Sequence, residues 1–337
     1  MQCLRIATVL AAVAIILSGP SRASAQVNLG AVGGFAVSPD NTTLVVSLPD
    51  KTELVYFDTV KGKESKRVSV EFAPDKLAWQ GKTLFASQKS GGIVHILDAG
   101  TGKEIGKATV RATAKSISVG LKGPAFVSNI NNDIYAVDTK GMSQKSSNRG
   151  MLVAADPQGK HVYYVYEGKV RTSVYKDEVD GLSTRRVGGK EGVVNPNLWG
   201  VYVSPDGKTV GVSAGGGFDE GSGKRHYAIP IYDTGDMQTM LGEIAPHARL
   251  AYHPVLPLAA AIGAPFPDSY QIINTKTYAN ISKHEYGKSD FSTILAFVGK
   301  GRKVAVGGSS GGSTTLRFFD LTLTKDQEAM LDKAFSK

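Results

Sequence analysis

The chain has 337 residues, 39 basic and 30 acidic, and a formal charge of +9. Its single cysteine, Cys3, stands at the extreme N-terminus, so no disulfide framework, thiol nucleophile or c-type haem site is available to the rest. The basic residues are scattered through turns with no aromatic-interleaved stripe, which argues for solubility and against a nucleic-acid partner.

In chain order, Arg5 precedes an apolar run from Ile6 to Leu17, a Ser18-Gly19-Pro20 break and Ala23-Ser24-Ala25. A basic start, a short apolar stretch and a small-residue site read as a secretory signal peptide over 1–25. The run is shorter than the ~20 residues a membrane helix needs, so no stable membrane insertion is expected once it is cleaved. Losing Arg5 and Arg22 takes the charge from +9 to +7. The expected product is exported, periplasmic or secreted, and held together by core burial alone.

The next segments repeat. Apolar runs end at Ser47, Ser87, Ser128, Val165, Ser213, Gly263 and Gly307, with steps of 40, 41, 37, 48, 50 and 44 residues. Ser38-Pro39-Asp40 and Ser204-Pro205-Asp206 precede two of them as near-identical turns. A second landmark follows each run: an apolar stretch closed by an acid or amide, at Asp58, Asp98, Asp138, Asp233, Asn274 and Asp320. The fourth copy is degenerate, with Val174-Tyr175-Lys176 in that place. Asp or Asn at a strand end can accept a hydrogen bond from the backbone two residues on and begin a turn. Each unit therefore reads as four strands joined by turns, with a period of about 40 to 45 residues that matches a propeller blade. The expected fold is all-β: a seven-bladed β-propeller of four-stranded antiparallel blades over 26–323. The seventh unit shows only three strands, so the extended stretch Gln26-Val27-Asn28-Leu29 is expected to supply its outer strand and close the ring. Residues 324–337 read as a helical tail. Thr324 and Gln327 form a capping box, and Met330, Leu331, Ala334 and Phe335 an apolar face.

These repeats resemble the bacterial YVTN-type β-propellers, relatives of the WD40-like repeats. Val203-Ser204-Pro205-Asp206-Gly207-Lys208-Thr209 and Ile93 to Asp98 with Thr101-Gly102-Lys103 carry the resemblance. Ala125-Phe126-Val127-Ser128-Asn129 stands where that group has Tyr-Val-Thr-Asn. Trp-Asp dipeptides are absent. The resemblance covers nearly the whole chain after the signal segment. It implies an exported protein that binds other molecules, commonly without catalysis.

The chemistry-bearing motifs are sparse. There is no G-x-S-x-G elbow, H-E-x-x-H pair, C-x-x-C pair or Walker loop. The glycine-rich 307–313 segment leads into a strand, and so lacks the helix N-terminus of a phosphate loop. The six histidines show no metal-ligand spacing. Carboxylates at Asp50, Asp133, Glu167 and Asp268 recur on one face of the ring, where an oxygen-rich rim could hold Ca²⁺. Solvated turn residues are the simpler reading, and neither a metal nor a cofactor is expected. On the same face, an insertion in blade five carries Phe218, Asp219, Arg225 and His226, and the loops of blade six add Phe266 and Tyr270. Aromatics with Arg and His beside them suit a recognition surface, whereas Trp199 reads as packing between blades. The expected function is a monomeric, non-catalytic binding or scaffold module for a protein, peptide or surface glycan. The alternative is a lactonase-like propeller hydrolase, with or without a metal, with Asp219, Arg225 and His226 at the channel mouth.

Overall fold

A computed structural model describes residues 23–167, 172–194, 198–218, 225–263 and 268–336. Seven four-stranded antiparallel sheets follow one another along the chain and close into a ring. Six blades are continuous: residues 35–69, 74–109, 114–149, 152–194, 198–244 and 247–285. The seventh takes Phe291–Val298, Lys303–Ser310 and Ser313–Asp320 from the end of the chain and Ala25–Leu29 from its beginning. One helix, α1 (Lys325–Phe335), follows. No helix among the described residues is long and apolar enough to cross a membrane.

The apolar runs are the central strands. In blade one, every residue from Leu44 to Leu48 is buried, because a strand in mid-blade has a neighbouring blade on both faces. Alternate residues serve opposite seams. Leu44, Val46 and Leu48 pack toward blade seven, while Val45 packs toward blade two. The outer strand Lys63–Ser69 is mostly exposed and polar, which suits an edge facing solvent. The buried apolar side chains form seven clusters, one at each seam between blades. Each large aliphatic residue in them contributes about 1.5–3 kcal/mol by burial.

The repeated turns are equally regular. Ser38 Oγ donates to Asp40 Oδ1 (2.5 Å) and accepts from the Thr43 amide (2.9 Å). Ser204 repeats this with Asp206 (2.6 Å) and the Thr209 amide (3.0 Å). The fourth turn position is left-handed in both, filled by Asn41 (φ 61°) and Gly207 (φ 72°). Three landmarks accept from the amide two residues on as expected, Asp138 from Lys140, Asp233 from Gly235 and Asn274 from Lys276; Asp58 and Asp98 accept from the third, Lys61 and Thr101, and Asp320 pairs with Lys303 instead.

The serines that end four of the seven apolar runs have a role of their own. Ser47, Ser87, Ser128 and Ser213 are fully buried. Ser47 Oγ accepts from the Gly34 amide in its own blade (2.8 Å) and donates to the Asp75 carbonyl of the next (2.6 Å). Ser128 Oγ donates across the next seam to the Met151 carbonyl (2.7 Å). Asn129 is buried too; its amide donates to the Val110 carbonyl of the preceding blade (2.9 Å).

The closing strand pairs from Ala25↔Phe318 to Leu29↔Thr314, with Leu29 buried in the blade seven–one seam. The pairing begins before Gln26, since the Ser24 amide also donates to the Phe318 carbonyl (2.8 Å). The capping box of α1 is present as the sequence implies. Its apolar face is narrower than expected: Leu331 is buried and Phe335 packs against the same cluster, but Met330 and Ala334 are exposed. The helix is held instead by Arg302, which donates to Glu328 (2.9 Å) and Asp332 (2.7 Å).

His253 sits beneath this helix. Its Nδ1 accepts from the Val255 (3.0 Å) and Leu256 (2.9 Å) amides, and Nε2 donates to the Gly301 carbonyl (2.8 Å). Burial pushes its pKa down to about 4, against the opposing Gly301 bond. Protonation would cost the ring both amide donors.

Deleting residues 26–31 is expected to lower the melting temperature by more than about 5 °C and to raise aggregation, whereas removing the tail after Leu323 does less. Calorimetry and light scattering check this. Ser47→Ala strands the Asp75 carbonyl and the Gly34 amide, and should cost about 1–3 kcal/mol in denaturant unfolding. His253 is neutral in both states above about pH 6.5, and folding resists its protonation down to about 4. Its contribution is therefore complete above 6.5, declines as pH falls and is lost through about 4, reaching about 3 kcal/mol. His253→Asn, which keeps an acceptor and a donor but does not titrate, should melt with a flatter pH profile over that window.

Candidate binding site at the channel mouth

All seven inner strands border a cavity of about 430 Å³ at one end of the central channel. This upper face carries the turns between second and third strands and the connections between blades. The opposite, lower face carries the Ser-Pro-Asp turns.

The inner strands are irregular where they reach the mouth. Register shifts fall at Pro74/Leu77, Ala114/Ser116, Leu198/Gly200, His247/Arg249 and Ser292/Ile294. A bulge leaves a residue unpaired and re-aims its side chain. Lys76, Lys115, Trp199 and Thr293 fall within these shifts, and all four line the cavity. Arg249, immediately after the shift in blade six, lines it as well.

Two large aromatics stand open at the mouth. Phe291 is 54% exposed and Trp199 40%. Trp199 was expected to pack between blades; it rests partly against Tyr227, with ring centroids 5.9 Å apart, but leaves much of its surface to solvent. Lys76 Nζ donates to the Gly33 carbonyl (3.1 Å) and pairs with Asp75 (3.0 Å). Lys115 Nζ donates to Asn132 Oδ1 (3.0 Å).

The residues singled out in the sequence are distributed differently. Phe218 pairs with Arg225 and Gly217 with His226 in the backbone of the blade-five hairpin, between its second and third strands. Asp219 and Phe266 lie outside the described residues. Tyr270 requires a correction. It is fully buried in the blade six–seven core, stacked on His284 (4.9 Å, 20°) and tilted against Phe319 (5.3 Å). Alternation along its strand turns it into the seam, where it cannot be offered to a ligand.

Of the four recurring carboxylates, three stand away from the channel mouth, and the Glu167 side chain lies outside what is described. Asp50 pairs with Lys89 (2.6 Å) and Asp133 with Lys145 (2.8 Å), and Asp268 accepts from Ser269 (2.9 Å). None of the three lines the cavity. The described residues contain no group of three or more His, Cys, Asp or Glu positioned to hold a metal ion. Phe291 escaped the sequence reading. Its signal was a bulky aromatic at the first position of an inner strand, where blade three has Ala114 and blade six His247.

A second cavity of about 400 Å³ opens on the lower face between blades five and six, bordered by Asp206, Tyr252, Pro254 and Lys276. It holds no converging set of groups beyond the turn chemistry already described.

No known protein family matches the sequence, and no curated protein sequence matches it. The fold has many solved neighbours. Hydrazine synthase of Kuenenia stuttgartiensis aligns with a TM-score of 0.70 at 15% identity, over 89% of this chain and 98% of that one. The β-propeller domain of Cps50 (Swd1) from Myceliophteria thermophila aligns at 0.70 and 10%, over 90% and 100%. A chain of the mitotic checkpoint complex aligns at 0.70 and 11%, over 96% and 99%. At these identities the likeness concerns the fold: a seven-bladed β-propeller with WD40-like structural neighbours.

Proposed function

We propose that this protein is an exported binding module of the YVTN-type propeller group, and that it engages a protein or peptide partner through its upper face. The carrying observation is the pair of exposed aromatics, Trp199 and Phe291, on the rim of a cavity bordered by all seven blades. Rigid aromatics beside a concavity are the usual anchors of recognition. The remainder of the upper-face recognition surface includes the blade-five hairpin that carries Phe218, Arg225 and His226. One structural neighbour belongs to a multiprotein complex, which supports partnering as a use of this architecture. Export rests on the signal-like segment alone.

No observation favours a hydrolase. The described residues that line the cavity include no Asp, Glu or His to act as acid, base or nucleophile.

The test is capture of partners by the immobilised chain, followed by mass spectrometry of cross-linked peptides. Trp199→Ala with Phe291→Ala should keep the melting temperature and lose at least about tenfold in affinity for the captured partner. Unchanged capture would remove the site. A surface glycan recovered in place of protein would overturn the choice of partner. Finding the uncleaved chain in the cytoplasm would overturn export.

A further inference from the structure

The charge of the channel mouth is one-sided. Lys76 comes from blade two, Lys115 from blade three and Arg249 from blade six, so cations face the cavity from opposite sides of the ring. The described lining contributes no carboxylate. Asp75, adjacent in sequence to Lys76, is taken up by the Lys76 ammonium at 3.0 Å.

The cations differ in how far they are satisfied. Lys76 has two partners and Lys115 one, against three donors each. Arg249 is partly buried, and no hydrogen bond or ion pair engages its guanidinium among the described residues. Arg249 borders the cavity, and its planar fork of N–H donors has no acceptor among the described residues. A second arginine stands nearby. Arg317 of blade seven is partly buried and also has no acceptor among the described residues. Its Nη2 lies beside Gly287, and both arginines act electrostatically on the Tyr286 hydroxyl. Asp268 acts on the same hydroxyl with opposite sign, without pairing with either arginine among the described residues.

Like charges on the wall of one low-dielectric cavity repel each other and focus a positive field on its centre. Without an anion the arrangement costs stability; an oxyanion offers Arg249 acceptors in the fork geometry it lacks and neutralises Lys115 across the channel, with Lys76 beside it already paired to Asp75. The Trp199 and Phe291 rings on the rim exclude water from such a contact, which strengthens it.

We infer that the channel mouth is a seat for an oxyanion of at least two negative charges, held by the Arg249 guanidinium with Lys115 and Lys76 opposite. The seat stands on its own geometry; that a partner protein supplies the anion through acidic side chains rests on the proposed function. Glu or Asp pairs on a peptide and a free tricarboxylate present the same chemistry, and the experiment separates them.

Calorimetric titrations with the purified chain use citrate in one arm and a short Glu-Glu-Glu peptide in the other, with Gln-Gln-Gln as the neutral control. Saturable binding is expected, weakening as ionic strength rises. Arg249→Gln should weaken it by about tenfold or more, and Lys115→Gln by less, since that ammonium already has a partner. Without ligand, both variants should melt at or slightly above the parent, since each relieves like-charge repulsion. Lys61→Gln, an exposed residue in the turn between the third and fourth strands of blade one, away from the mouth, should bind as the parent does. Peptide binding that the Gln control does not reproduce assigns the anion to a partner; binding of citrate alone keeps the seat and assigns it to a free small molecule. Absence of saturable binding in both arms, or an Arg249→Gln variant that binds both ligands like the parent, overturns the seat. Because no partner is needed, failure of the protein-capture experiment leaves this result readable.

Discussion

Each blade is apolar on both faces and cannot stand alone. A four-stranded sheet whose central strands bury side chains on both faces needs a neighbour on each side. An open row of such sheets would leave two apolar faces in water, and only a ring removes both. The seven seam clusters are that condition met seven times. Everything else in the molecule is arranged around it. Polar side chains in the seams can bridge one blade to the next, as those of Ser47, Ser128 and Asn129 do.

The same requirement creates the candidate site. Seven inner strands brought together around an axis leave a channel that their backbones cannot fill. At its upper end the strands depart from regular pairing, and the bulges turn charged and aromatic side chains toward the opening. Regular pairing serves the seams and irregular pairing serves the mouth. The two tasks are thereby separated along a single strand: in blade three, Lys115 borders the cavity while Ala114 belongs to the seam with blade two.

This division explains what could be read from the sequence. Runs such as Leu84-Phe85-Ala86-Ser87 are visible because central strands are buried on both faces, and the Asp-led turns because their hydrogen bonds are local. The missing strand of blade seven was legible by subtraction, from three strands in the last unit and one spare stretch at the start. The mouth was much less so. Whether Trp199 meets a seam or the channel depends on a one-residue slip against Ala214 and Ser213, and a slip leaves no mark in composition. Tyr270 failed for the converse reason: it begins a strand beside a loop, yet the pleat carries it inward. Arg249 was passed over because a lone arginine in an alternating strand has no motif around it. Its significance comes from Lys76 and Lys115, more than a hundred residues away in the chain.

The closing strand also sets an order of events. Of the strands, Ala25 to Leu29 leaves the ribosome first, and its partner Ser313–Asp320 last. Six blades can assemble by adding neighbours while synthesis continues, since each is contiguous. The seventh cannot, and the Leu29 side chain must wait for Leu316 and Phe318 before it is covered. Throughout that interval the nascent protein carries a lone β-segment at its head, free to pair with any unfinished edge it meets, including that of another nascent copy. Swapped dimers, in which the first segment of one copy completes the last blade of another, are therefore the natural misassembly of this architecture. Crowded synthesis favours them, and dilution during maturation favours the single closed ring.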